Sequence, residues 1–205
     1  MRGQFFVIEG IDGAGCGAQR KAVSAKLREL GFDVTDIKYP YYGSPIGKMI
    51  HDFLHEKVKL DAEMQFLLYA VNMLEDKRRV EEALESGKLV LADRYFTSSI
   101  VYQSIRGFPV QKMLEFAELF EMHVPKVVFL LDVPAEIAMK RKLTEEGKDE
   151  LDINERDLEF MKKIEKKYRE TAEKNIFTKW ILIDGKKDIE HVRDEIVRHI
   201  EGMAR

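Results

Sequence analysis

The sequence predicts an α/β fold, a roughly five-stranded parallel sheet covered by helices. Three features carry that prediction. Short apolar bursts recur along the chain, amphipathic Lys/Glu-rich stretches separate them, and a glycine-rich turn follows the first burst. The bursts are Phe5–Ile8, Val34–Tyr39, Leu89–Ala92, Val127–Leu131 and Trp180–Ile183. Near-continuous apolar runs suit parallel strands buried on both faces, whereas half-exposed strands alternate. Between them, Ala18–Leu30, Ala62–Glu85, Glu136–Leu143 and Glu155–Lys174 carry apolar residues at helical spacing. Such alternation builds right-handed βαβ units. No internal repeat or low-complexity linker interrupts the chain, so residues 1–205 read as a single domain. Its most polar stretch, Thr144–Asn154, reads as a mobile loop between two helices.

Composition narrows the classes of function. With 45% hydrophobic residues the chain can bury a core unaided, and its single cysteine, Cys16, cannot form an internal disulfide. A reducing, cytoplasmic location is the expectation. No apolar run reaches bilayer length, and the opening MRGQFFVIEG leads into a strand without a signal-peptide pattern. A net charge of -3 supplies no general basic field, so neither nucleic acid nor membrane is an expected partner. Any anionic ligand must be held by cations placed locally.

The turn after the first strand reads Gly10-Ile11-Asp12-Gly13-Ala14-Gly15-Cys16-Gly17-Ala18. Glycines there let backbone N–H groups close around phosphate oxygens at a helix N-terminus. From Gly13 the segment fits GxGxxA of a dinucleotide site, with Asp33 or Asp36 as the distal acid. From Gly10 it fits GxxxxG of a P-loop, with Cys-Gly in place of Lys-Ser/Thr. Spacing favours the P-loop, because Gly13 lies several residues beyond Ile8, and a dinucleotide turn starts at the strand's end. A second constellation, Asp93-Arg94-Tyr95 followed by Ser98, Ser99, Tyr102 and Gln103, sits where a strand runs into a helix. It places an acid suited to the waters of Mg²⁺ and a phosphate-bridging arginine at the carboxyl edge of the sheet.

Other landmarks follow in order: EGxDGAG at Glu9–Gly15, Tyr39-Pro40-Tyr41-Tyr42, PIG at Pro45–Gly47 and LLYA at Leu67–Ala70. Then come DRYxxSxxxYQ at Asp93–Gln103, LDVP at Leu131–Pro134, Arg141, Asp152 with Glu155, and Tyr168. Together these resemble the thymidylate kinase family of P-loop nucleoside monophosphate kinases along nearly the whole chain. The resemblance implies a three-layer αβα P-loop fold with a lid over about 141–155, and transfer of the ATP γ-phosphate to dTMP. It implies Mg²⁺ as cofactor and a homodimer, with the long helix Ala62–Glu85 a candidate for the pairing. By resemblance Gly10–Ala18 binds ATP, Asp12 faces the acceptor sugar and metal shell, and Asp93 serves the metal. Tyr69 stacks on the pyrimidine, Arg94 clamps phosphate, and Tyr42, Ser98, Ser99, Tyr102 and Gln103 line the acceptor pocket. Asp12, Arg94 and Arg141 form the expected catalytic set, with Lys142 and Lys148 as further lid cations.

The chain also departs from the family's pattern. Cys16 stands at the P-loop lysine, Gly17 at its hydroxyl residue, Met73 at a base-reading arginine, and Tyr41 at the arginine of the FPRY turn. A nucleotide-binding protein of the same fold with reduced turnover is therefore the alternative. Two smaller signals complete the reading. Cys16 at a helix N-terminus is expected to have a lowered pKa. His51 and His55, four apart, suit either a solvated helix face or half of a metal site.

Overall fold

The computed structural model describes residues 2–144 and 152–204. Parallel strands β1 (Gln4–Glu9), β2 (Val34–Lys38), β3 (Leu89–Asp93), β4 (Val127–Asp132) and β5 (Trp180–Asp184) form one sheet in the order β2-β3-β1-β4-β5. The strands fall where the apolar bursts predict. β1 and β3 sit inside the sheet and are buried almost throughout, as an unbroken apolar run requires.

Helix α1 (Cys16–Glu29) follows β1 and packs on α9 (Ile189–Ala204). α3 (Ala62–Leu74), α5 (Phe96–Ile105) and α8 (Leu158–Glu173) form a second layer, with α3 on α5 and α5 on α8. α2 (Pro45–Leu54), α4 (Lys77–Glu85), α6 (Val110–Leu119) and α7 (Ala135–Leu143) complete the described helices. Local chemistry sets several starts. Ser44 Oγ accepts from the Gly47 amide at 3.0 Å ahead of Pro45, Asp61 caps Met64 at 2.8 Å, and Asp157 caps Phe160 at 3.1 Å.

Two expectations are corrected. The single helix Ala62–Glu85 is instead α3 and α4, interrupted at Glu75–Asp76. Asn72, buried near the end of α3, binds the Tyr41 backbone, accepting from its amide at 2.8 Å and donating to its carbonyl at 3.0 Å. The helix expected from Ala18 starts two residues earlier, so Cys16 opens α1 rather than ending the loop. Part of the expected lid and Lys148 lie outside the described residues.

Candidate active site

The strand order reverses direction at β1, and an open α/β sheet binds ligands beyond the carboxyl ends of its strands at such a point. Register decides what meets there. Ile8 pairs with Asp93, and the Arg94 amide donates to the Ile8 carbonyl at 2.9 Å, so the loops after β1 and β3 emerge side by side. They border a cleft of about 640 Å³. Ile11, Asp12, Gly13, Gly15, Cys16, Gly17 and Ala18 line one wall, with Gly10 and Ala14 buried behind them. Asp93, Arg94, Ser98, Ser99, Tyr102 and Gln103 line another, and Tyr42, Tyr69 and Arg141 also face it. Apart from Gly10 and Ala14, these nominated residues share one cavity.

The glycine loop has the form of an anion cradle. Gly13 and Gly15 take φ of 85° and 99°, the left-handed region that suits glycine. A Cβ at Gly13 would stand 2.2 Å from the Ala138 carbonyl oxygen, so α7 presses on the loop. From Gly13 to Ala18, the Ala14 amide donates to Ile11 at 3.0 Å, and the other amides meet no acceptor among the described residues. Unpaired N–H groups at a helix N-terminus attract phosphate.

Beside the loop lies a polar hub. Glu9, fully buried at the end of β1, accepts from the Tyr95 amide at 3.1 Å, Thr97 at 2.6 Å, Ser98 at 2.7 Å and Tyr168 at 2.8 Å. Burial pushes its carboxyl up, while Arg94 and the three hydroxyls pull it back. Arg94 has φ 64°, an uncommon conformation for a residue with a Cβ, and such strain clusters where side chains are held for a purpose. Its Nη2 donates to Asp12 Oδ1 at 2.7 Å, and Asp12 Oδ2 accepts from Tyr102 at 2.8 Å. Burial opposes the guanidinium charge, but Asp12 above all outweighs it and holds Arg94 well above its usual range. The result is a permanent, oriented cation tied to the glycine loop through Asp12.

Residues 8–196 match the family profile described as thymidylate kinase. The chain belongs to the thymidylate kinase family. It is 32% identical to a probable thymidylate kinase of Thermococcus kodakarensis, covering 97% of this chain and 98% of that protein. A thymidylate kinase of Halothermothrix orenii is 33% identical with 98% of each chain covered. A probable thymidylate kinase of Methanocaldococcus jannaschii is 34% identical, covering 97% and 96% respectively.

At the lysine position of the P-loop pattern stands a thiol. Cys16 is 6% exposed, and burial drives its thiol far above the ordinary range, with Asp93, Glu9 and Asp12 adding to the effect against Arg94. This reverses the lowered pKa expected at a helix N-terminus, because burial disfavours the thiolate. Arg141, near the end of α7, reaches the loop. Its Nη1 donates to Ala14 O at 3.4 Å and its Nη2 to Gly185 O at 3.0 Å. Lys142, also expected as a lid cation, is 3.2 Å from Glu155.

The residues fit the divalent metal that a kinase family implies. Asp93 presents a 4% exposed carboxylate on the cleft, and a Cβ at Gly17 would lie 3.2 Å from its Oδ2. Mg²⁺ is held by one or two carboxylates together with water and phosphate oxygens, so one such acid suffices. Among the described residues no group of three or more His, Cys, Asp or Glu forms a protein-only metal cage, which leaves His51 and His55 without a third ligand. Their rings stack at 4.1 Å between centroids and line the cleft, so they are wall rather than plain solvated surface. Of the two distal acids of the dinucleotide alternative, Asp36 accepts from Arg20, Ser24 and Arg28, and Asp33 lies 3.2 Å from Lys88.

Sequence reasoning treated Ser98 as pocket lining; it stands on the cleft wall, with its hydroxyl engaged by Glu9 and Tyr168. It missed Glu9 as the organising acid; the available signal was a carboxylate ending an otherwise apolar strand. It also missed Lys38, Gln65 and Arg106, which line the cleft. Asp152 lines it too, its carboxyl pushed up to about 6 by burial and then by Asp12 and Glu155. A raised acid stabilises the fold below the unfolded value near 3.8, and that contribution is lost as pH rises through about 6. Asp152→Asn should therefore gain melting temperature over the parent above about pH 7 but not near pH 4. An advantage independent of pH would contradict this.

Proposed function

We propose that this chain transfers the γ-phosphoryl group of ATP to dTMP, giving dTDP, on one domain spanning residues 1–205. The observation that carries the reading is the charged pair that Arg94 makes with Asp12 of the glycine loop, on the wall of one cleft. In-line phosphoryl transfer asks for positioning and charge stabilisation rather than covalent help. In this reading the loop amides hold the ATP phosphates, Arg94 clamps the acceptor phosphate, and Tyr69 stacks on the base. Asp12 and Tyr102 hold Arg94 in place and face the sugar. Asp93 holds Mg²⁺, which when bound neutralises charge on the phosphate oxygens. Arg141, already on the loop carbonyl of Ala14, supplies the cation that Cys16 cannot.

A second reading follows from that buried thiol: a nucleotide-binding protein of this fold with lost or reduced turnover. Steady-state assay with ATP, Mg²⁺ and dTMP separates the two. Formation of dTDP above background supports the kinase, and saturable dTMP binding without product rejects it.

We further read the chain as a cytoplasmic homodimer without a nucleic-acid or membrane partner. Met64, Leu67 and Val71 form an exposed apolar stripe at helical spacing on α3, suited to pairing with a second copy. No described helix is long and apolar enough to cross a membrane. Sedimentation should give a dimer that Val71→Glu dissociates; a monomeric parent would dismiss the pairing.

A further inference from the structure

Gln65, Tyr69 and Met73 follow one another four residues apart on α3, and all three line the cleft. Residues so spaced share a helix face and rise about 6 Å per step. A ring lying on Tyr69 is therefore flanked by Gln65 on one side and by Met73 on the other. Thymine is divided in the same way. One edge carries two ring carbonyls and the N3–H between them, and the other carries the 5-methyl group and C6–H.

Gln65 is 5% exposed but half satisfied. Its Nε2 donates to the Leu60 carbonyl at 2.8 Å, which fixes the amide, since the flipped form would set two oxygens against each other. Its Oε1 is buried and has no partner among the described residues. A buried acceptor left unmet is unfavourable, and a donor brought to it would be favourable. Gln103 Oε1 and Arg106 Nε are orphaned in the same way, at the α5 side of the cleft. The Gln103 amide can present either end, while Arg106 donates Nη2 to Asn154 Oδ1 at 2.6 Å and keeps Nε–H unused. Met73, 4% exposed, offers no hydrogen bond.

We infer that Gln65 reads the base: its Oε1 accepts from N3–H of thymine, Gln103 and Arg106 donate to the flanking ring carbonyls, and Met73 packs on the methyl edge. The inference rests on the cleft being a dTMP site. Thymine has a single N–H on that edge, so a fixed acceptor has one partner on it. Cytosine instead carries a lone pair at N3, which would face the Gln65 oxygen.

Calorimetric titration of the full chain with dTMP and dCMP, without ATP, tests this apart from turnover. The parent should prefer dTMP, and Gln65→Leu should lose about tenfold in dTMP affinity while dCMP binding holds or improves. Should that variant fail to fold, dTMP methylated at N3 provides the same test on the unaltered chain, with at least about tenfold weaker binding expected. Equal binding of dTMP and dCMP by the parent, an unchanged preference in Gln65→Leu, undiminished binding of the N3-methyl compound, or no dTMP binding at all would overturn it. Failure of the kinase reading is distinct, showing as dTMP binding with no dTDP formed.

Discussion

Arg94→Ala should lower kcat/KM for dTMP by about 10³, the loss typical of removing a preorganised cation from a phosphoryl-transfer site. The guanidinium is held by Asp12 at 2.7 Å, and Asp12 is itself held by Tyr102 at 2.8 Å, so its direction is set before any ligand arrives. Arg94→Lys keeps the charge but not the two-pronged fork, and an intermediate loss of about 10² is expected. Both variants retain a Cβ, so the left-handed backbone at φ 64° is common to all three chains and cannot confound the comparison. Circular dichroism checks that each is folded. A loss smaller than tenfold in Arg94→Ala would remove the residue from the reaction.

Gly13→Ala should be the most damaging single methyl in the loop. Two effects combine there: φ of 85°, disfavoured by roughly 1–2 kcal/mol for an L residue, and a Cβ placed 2.2 Å from the backbone oxygen of Ala138. That oxygen belongs to α7, so relief requires the helix to move away from the cradle. Gly15→Ala provides the control, since φ is 99° but nothing lies within 4 Å of its Cβ. We expect about 1–2 kcal/mol of destabilisation at Gly15 and at least about 3 kcal/mol at Gly13, with ATP binding lost in Gly13→Ala. Thermal melting with and without ATP measures both. Equal costs at the two glycines would mean that α7 does not press on the loop.

The alternation of apolar bursts with amphipathic stretches determined the strands and their parallel direction, because strand burial and helix amphipathicity are written in local periodicity. The separation between Ile8 and Gly13 likewise favoured the phosphate loop over a dinucleotide turn, and the Asp93-Arg94 pair marked the facing edge. Tertiary structure alone decided which polar groups lose water and which partners they find. It buried Cys16 and raised its thiol, gathered Thr97, Ser98 and Tyr168 onto Glu9, broke the long helix at Glu75–Asp76, and left Gln65 Oε1 unmet beside the cleft. These outcomes depend on residues far apart in the chain arriving at one place, and desolvation there overrides what each residue's neighbours in sequence would favour.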